Sequence, residues 1–200
     1  MLYYINVMKE KLLFIYFCFV LLSCEKIQYK VVECPPEIRT LAVSYAQKYA
    51  ERETEFALGG RDYLENEGIL QLDCSGFIVR IFNYAAGNSK YSLLFEDAPL
   101  SAFYQYFTIP LEQKMLTPGD IIFMGTPITY ELDEADLDFR NLEIILPPTH
   151  MSVFAGMDDE NIYFIDATIK EQEGINGVSL RYYPKNDQRF MSYGRLLIRF

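Results

Sequence analysis

The chain has 200 residues, of which 50% are hydrophobic and 23% are charged, a composition that supports one globular domain with a sizeable core. Its formal net charge is −10, and the sequence contains no cluster of lysine and arginine residues. A negative surface of this kind repels a phosphate backbone, so composition and charge exclude a nucleic-acid-binding protein.

The first stretch of the chain has the pattern of an export signal. Lys9 and Lys11 precede an apolar run over residues 12–22, which is shorter than the roughly 20 residues that a membrane-spanning helix needs. The run ends at Ser23 and Cys24, and a small residue followed by cysteine at this place resembles a bacterial lipobox. The resemblance implies attachment of a lipid to the Cys24 thiol and cleavage of the chain before it.

Three parts of the chain are predicted from these features: a signal peptide at 1–23, a lipidated tether at 24–36 and a folded domain at 37–200. The protein is therefore expected to be a lipoprotein of the cell envelope, anchored in the membrane through Cys24 and facing the periplasm or the exterior. Only Cys34, in the tether, and Cys74, in the folded domain, then remain as possible thiols. We expect no disulfide between them, because Cys74 lies in a setting that suits a nucleophile.

Helices are predicted in the first half of the folded part and strands in the second. Apolar residues at helical spacing predict helices over residues 38–52, 74–86 and 99–107. Short apolar stretches between turn residues predict strands at 120–124, 150–155, 161–167, 178–183 and 195–200. Helices followed by strands favour an α+β domain in which N-terminal helices pack on a central antiparallel sheet of about five to six strands.

Three residues in this order of elements suit nucleophilic catalysis. Cys74 begins a predicted helix, where free N–H groups and the helix dipole favour a thiolate and an adjacent oxyanion. His150, the only histidine, begins a strand, and Asp166 ends the next one. Neighbouring antiparallel strands would bring Asp166 beside His150, so that the carboxylate fixes the imidazole tautomer and the other ring nitrogen faces Cys74.

Each of the three residues also has a common structural interpretation. A cysteine that opens an amphipathic helix is usually only buried, a single histidine is usually a core or surface residue, and an aspartate at a strand end usually belongs to a turn. The catalytic interpretation depends on their joint arrangement, since order and element type all fit one mechanism.

Four short motifs resemble those of the NlpC/P60 cysteine peptidases, in the same order along the chain. In chain order they are Phe-Ala-Leu-Gly-Gly at 56–60, Asp-Cys-Ser-Gly-Phe at 73–77, Pro-Gly-Asp-Ile-Ile-Phe at 118–123 and His-Met-Ser-Val-Phe-Ala-Gly at 150–156. The resemblance covers residues 38–168, most of the folded part. It implies a papain-like fold and hydrolysis of peptide bonds in the stem peptides of bacterial peptidoglycan.

The same resemblance implies roles for individual residues. Cys74 corresponds to the nucleophile, His150 to the base and Asp166 to the third polar position that orients the histidine. Asp73 and Ser75, which flank the nucleophile, correspond to positions that bind a substrate amino terminus. We expect a monomer that needs neither a metal nor an organic cofactor, with peptidoglycan stem peptides and the membrane as partners.

Two features depart from the family pattern and leave other functions open. Phe56 stands at the substrate-binding position where the family has a tyrosine, so a hydroxyl that reaches into the active site is lost. A long acidic loop at 125–148 precedes the histidine, and is either a solvated loop or a border of the groove. The alternatives are a catalytically weak, wall-binding lipoprotein on the same fold, or a cysteine amidase or acyltransferase with a substrate outside the wall.

Overall fold

In a computed structural model of the chain, helices in the first half pack against a large antiparallel sheet. The structure describes residues 29–61, 69–125 and 147–200, and Val31–Phe200 form one compact unit. The predicted signal peptide at 1–23, the predicted lipidation site Cys24 and most of the acidic loop lie outside the described residues. None of the described helices is long and apolar enough to cross a membrane.

The order of elements is that of an α+β domain, as the sequence predicts. The helices are α1 (Pro36–Ala50), α2 (Cys74–Ala86) and the single turn α3 (Leu100–Ala102), which continues into a π-helical turn at Phe103–Phe107. The strands are β1 (Val31–Glu33), β2 (Thr54–Phe56), β3 (Leu70–Leu72), β4 (Ser92–Leu93), β5 (Thr108–Leu111), β6 (Ile121–Met124), β7 (His150–Met157), β8 (Asn161–Lys170), β9 (Ile175–Pro184) and β10 (Phe190–Arg199).

Both long helices follow from the sequence pattern. Helix α1 begins at Pro36, two residues before the predicted start, because proline suits the first helical position, where no backbone N–H is needed. Helix α2 has the predicted bounds, with Asp73 as its N-terminal cap. Each helix buries one face in a shared core, and the fully buried side chains of α2 are Phe77, Ile78, Ile81 and Phe82.

Within the described residues the main sheet has eight strands, more than the predicted five to six. Six of them follow the order β1-β10-β6-β7-β8-β9, and β4 and β5 also pair with β10. Every pair in this sheet is antiparallel, as predicted. The additional strands β1, β4 and β5 have only two to four residues. Such short stretches carry no periodicity, and pairing with the ten-residue β10 is what makes them strands.

The beginning of the folded part differs from the predicted tether at 24–36. Strand β1 pairs Val31 with Arg199 of β10, and the Cys34 side chain is only 1% exposed. Burial raises the pKa of the Cys34 thiol to about 12, so this cysteine is an inert core residue. The structure places neither Cys34 nor Cys74, the two cysteines it describes, in a disulfide.

The Pro-Gly-Asp motif before β6 forms a buried ion-pair cluster. Asp120 is fully buried and accepts from Arg195 Nε at 2.9 Å and from a terminal nitrogen of Arg39 at 3.2 Å. The Thr117 backbone N–H donates to the same carboxylate at 2.8 Å. Gly119 has φ +91°, and a Cβ at this position would lie 2.7 Å from the Arg39 carbonyl oxygen. The motif therefore joins α1, β6 and β10.

Candidate active site

Cys74 is the first residue of α2, and its surroundings are fixed by the Asp73 cap. An Asp73 carboxylate oxygen accepts from the Gly76 backbone N–H at 2.6 Å, and the other accepts from the Gly59 N–H at 3.0 Å. A Cβ at Gly76 would collide with the Gly60 carbonyl oxygen. The glycine turn and the first turn of α2 thus pack directly on each other, which explains two of the four motifs by local structure.

The first turn of α2 also offers hydrogen-bond donors beside the thiol. The first four N–H groups of a helix have no partner within the helix. Two of the four are paired here, since the Gly76 N–H donates to the Asp73 side chain and the Asp73 N–H donates to the Gly60 carbonyl oxygen. Within the described ranges, the amides of Cys74 and Ser75 have no hydrogen-bond partner. These two N–H groups are therefore available to an oxyanion that forms next to the Cys74 sulfur.

His150 lies between Cys74 and Asp166. Its Nε2 is 2.5 Å from Oδ2 of Asp166, which leaves Nδ1 as the ring nitrogen for the thiol. Burial disfavours the imidazolium, but interactions with Asp166 and Cys74 outweigh burial and raise the pKa of His150 to about 9. Although burial also opposes its charge, the pKa of Asp166 is held below its usual value by His150 and an arginine. The arrangement therefore favours a charged imidazolium next to the sulfur.

That arginine is Arg181, which the sequence analysis did not identify. Its Nε donates to Oδ1 of Asp166 at 2.9 Å, and a terminal nitrogen donates to Oδ2. The other terminal nitrogen donates to the Tyr183 hydroxyl at 2.8 Å. Strand β9 pairs Ser179 with Asp166, so Arg181 is the diagonal neighbour of the aspartate. An arginine within an apolar strand is the available signal, but its partner depends on the register between β8 and β9.

Asp73 and Ser75, the predicted contacts of a substrate amine, already have a cationic neighbour. One terminal nitrogen of Arg61 lies 2.7 Å from Asp73 and the other donates to Ser75 at 3.1 Å, while Nε donates to Asp97 at 2.7 Å. Burial raises the pKa of Asp73, but hydrogen bonds from Arg61, Gly76 and Ser75 outweigh it and keep the pKa below its usual value. Arg61 follows the Gly-Gly motif directly, and its role was not evident from sequence.

Phe56, the third predicted substrate-binding residue, ends β2 and is half-buried against the main core. Its backbone N–H donates to the Asn176 side-chain oxygen at 2.9 Å, which ties β2 to the start of β9. The described residues contain no group of three or more histidine, cysteine, aspartate or glutamate side chains that could hold a metal ion. The chemistry that this site offers is that of an acid–base-assisted thiol.

Comparison with known proteins finds likeness in structure alone. No family model matches the sequence, and no curated protein matches it. The structure is similar to that of NlpC1 from Trichomonas vaginalis, with 17% identity and a TM-score of 0.50 over 84% of this chain and 47% of that one.

Two further solved structures resemble the chain less closely in shape. A protein similar to a lipoprotein of the NLP/P60 family from Staphylococcus aureus has 19% identity and a TM-score of 0.47, over 82% of this chain and 43% of that one. NlpC2 from Trichomonas vaginalis has 16% identity and a TM-score of 0.47, over 82% and 47%. The chain thus spans less than half the length of each of these proteins.

The chain has an NlpC/P60 fold. This confirms the predicted fold class, including the α+β architecture and the antiparallel sheet. The likeness is one of fold, so the roles of Cys74, His150 and Asp166 depend on the geometry described above.

Proposed function

We propose that this protein is a cysteine peptidase that hydrolyses the stem peptides of peptidoglycan. The observation that carries the proposal is the succession of Cys74 at the start of α2, His150 on β7 and Asp166 on β8, with Nε2 of the imidazole 2.5 Å from the carboxylate. The NlpC/P60 fold supports a hydrolase of the cell-wall type. The wall substrate itself comes from the motif resemblance and is part of the proposal.

The first step of the proposed reaction acylates Cys74. Nδ1 of His150 takes the thiol proton, and the thiolate attacks the carbonyl carbon of the scissile amide to form a C–S bond. The carbonyl oxygen becomes an oxyanion next to the N–H groups of Cys74 and Ser75. When the intermediate collapses, the C–N bond breaks and the imidazolium gives its proton to the leaving amine.

The second step releases the acyl group. A water molecule loses a proton to Nδ1 of His150 and attacks the thioester carbonyl, and the C–S bond breaks to regenerate the thiol. Asp166 keeps a proton on Nε2 throughout, so that Nδ1 alternates between base and acid. All proton transfers in this scheme use residues that the structure brings together.

Asp73 and Ser75 are proposed to receive the substrate on the amino-terminal side of the scissile bond. Arg61 already neutralises part of the Asp73 charge in the free protein, and its Nε is held by the exposed Asp97. A substrate ammonium group would therefore bind beside Arg61 or in its place.

The anchor of the protein is a second proposal, carried by the sequence around Cys24. Lipidation of this cysteine would hold the domain at the membrane, with the wall as its substrate. Labelling with a radioactive fatty acid in a bacterial host should mark the wild-type chain. The Cys24→Ala chain should remain unlabelled, and equal labelling of both would contradict the anchor.

The nucleophile is tested by the rate of alkylation with iodoacetamide as a function of pH. The soluble part, from residue 25 onward, supplies its own control, because Cys34 is buried and its pKa lies at about 12. Fast labelling of Cys74 well below pH 8.5, the ordinary thiol value, and its loss in His150→Ala would support the proposal. Labelling of Cys74 at an ordinary rate in both proteins would contradict it.

The substrate is tested by incubating the protein with purified muropeptides and with a panel of other amides. Cleavage of a stem peptide by the wild type, with none by Cys74→Ala, is the expected result. Cleavage of other amides alone would identify an amidase or acyltransferase with a different substrate. If the protein binds peptidoglycan but cleaves none of these amides, it would be the catalytically weak, wall-binding form. Phe56, which lacks the hydroxyl of a tyrosine, motivates this alternative.

A further inference from the structure

Asp166 lies between two cationic partners, and only one of them belongs to the catalytic residues described so far. The carboxylate is fully buried, and the Arg181 side chain is 7% exposed. Arg181 forms a two-point contact with both carboxylate oxygens, the geometry in which an arginine fixes the orientation of a carboxylate most firmly. Oδ2, the oxygen that meets His150, is one of the two.

Arg181 is itself held in place from its far side. One terminal nitrogen donates to the Tyr183 hydroxyl, and the guanidinium lies over the ring of Phe164, 5.0 Å from its centroid. The Tyr183 hydroxyl also accepts from Lys170, and the Arg189 guanidinium lies 3.4 Å from the centroid of the Tyr183 ring. These contacts leave Arg181 a single orientation, toward Asp166.

The charges around the thiol–imidazole pair balance only when Arg181 is counted. The thiolate, the imidazolium and Asp166 together carry one negative charge in a largely buried site, and Arg181 brings the sum to zero. Further out, Lys170 pairs with Glu173 and Arg189 pairs with Asp187. The positive charges of Lys170 and Arg189 are therefore compensated locally. Arg181 is therefore the cation that compensates the third member of the site.

We propose that Arg181 is a positioning residue for the catalytic site, which holds the Asp166 carboxylate toward His150 and sets the pH range in which Cys74 is reactive. This inference rests on the proposed function, and it concerns a residue outside the motifs. A cation near a titrating group favours loss of the proton. Loss of the Arg181 charge should therefore make the imidazolium hold its proton to higher pH and move the alkylation profile of Cys74 upward.

The test is the pH midpoint of Cys74 alkylation by iodoacetamide in the soluble protein, measured for wild type, Arg181→Met and Arg181→Gln. The midpoint should move upward by about one pH unit in Arg181→Met. Arg181→Gln keeps hydrogen-bonding groups toward Asp166 and Tyr183, so it supplies a neutral variant if Arg181→Met does not fold. Arg181→Lys restores the charge without the two-point contact, so its midpoint should return to the wild-type value while its maximal rate stays lower.

Arg39→Met is the matched control. Arg39 is also 7% exposed and paired with a fully buried aspartate, Asp120, which keeps Arg195 as a second partner. The expected result is that the pH midpoint of Cys74 alkylation rises by more than about half a unit in a neutral Arg181 variant and does not rise in Arg39→Met. A smaller shift, a downward shift, or an equal shift in Arg39→Met would overturn the proposal and leave Arg181 a purely structural residue.

The experiment separates this inference from the proposed function because iodoacetamide needs no substrate. If the wild-type thiol reacts at an ordinary rate regardless of His150, the peptidase proposal fails, yet the effect of Arg181 on the Cys74 midpoint is still measured. If the thiol is activated and the midpoint of Cys74 alkylation is the same with and without the Arg181 charge, only the positioning role fails.

Discussion

Two buried aspartates on neighbouring parts of the sheet meet arginine in different ways. Asp120 is enclosed by Arg39, Arg195 and Thr117, so donors from the protein occupy both oxygens. Among the described residues, Asp166 is paired with one arginine, and its carboxylate also forms a hydrogen bond with the imidazole of His150. Both carboxylates are fully buried. The two sites therefore differ in what lies opposite the arginine, not in burial.

The comparison shows how one ion-pair chemistry serves two purposes. Two guanidinium groups and no titratable partner make Asp120 a fixed joint between secondary-structure elements. At Asp166 a single guanidinium leaves room for a second partner that can titrate, the imidazole of His150, whose pKa is raised to about 9. A buried aspartate that divides its contacts between an arginine and a titratable side chain is thus the candidate for a functional role.

The largest expected effect separates the two aspartates by activity. Asp166→Ala removes the partner that fixes the imidazole tautomer, so kcat/KM for a cleavable amide should fall by about 10²-fold or more. Asp120→Ala should leave kcat/KM of the folded protein within about threefold of wild type. Steady-state kinetics at a temperature where both variants are folded would measure this. Similar losses in the two variants would remove the functional distinction.

For stability we expect the opposite order, with the larger loss of unfolding free energy at Asp120 and the smaller at Asp166. Asp120→Ala leaves two arginines without their buried partner, and breaking a buried ion pair costs about 3–5 kcal/mol of the free energy of unfolding. Asp166→Ala leaves one such arginine and the imidazole of His150, which can lose its charge, so its loss should be smaller. Urea denaturation of both variants would compare them. A larger loss at Asp166 would mean that the catalytic site, and not the joint, is the main electrostatic support of the fold.

The imidazole at the Asp166 site should also make stability depend on pH. The pKa of His150 is raised to about 9 from 6.5, so the stabilisation is complete below pH 6.5 and is lost as the pH rises through 9. The shift corresponds to about 3 kcal/mol. The difference in unfolding free energy between wild type and His150→Gln should shrink over this interval. Parallel pH profiles for the two proteins would contradict the ion pair.

The smallest effect is expected at Asp73, whose single arginine is partly exposed. Arg61→Ala should free the carboxylate for a substrate ammonium group, so preference for a stem peptide with a free amino terminus over its acetylated form should rise about threefold, the scale of an exposed ion pair. Asp97→Asn, which touches only the far side of Arg61, is the control. An unchanged ratio in Arg61→Ala would place the substrate amine elsewhere.

Local sequence patterns predicted the long elements correctly. Helix α2 has the predicted bounds because its cap and its apolar stripe are both encoded within fifteen residues. Strands β6 to β10 appear where predicted, although β7 to β10 are longer than expected. The short strands β1 to β5 were missed, because they lack the unbroken apolar run between glycines that marks β6. Strands β1, β4 and β5 exist through pairing with β10, and β2 and β3 through pairing with each other.

The sequence by itself determined the motif residues, the order of helices and strands and hence the α+β class, because capping, turn chemistry and apolar spacing act over a few neighbouring residues. The tertiary structure alone decided which charged side chains contact the motif residues and Asp166. Arg181 reaches Asp166 through the β8–β9 register, and Arg61 reaches Asp73, which lies 12 positions further along the chain. Such pairings depend on distances in space between residues apart in sequence, which no local pattern records.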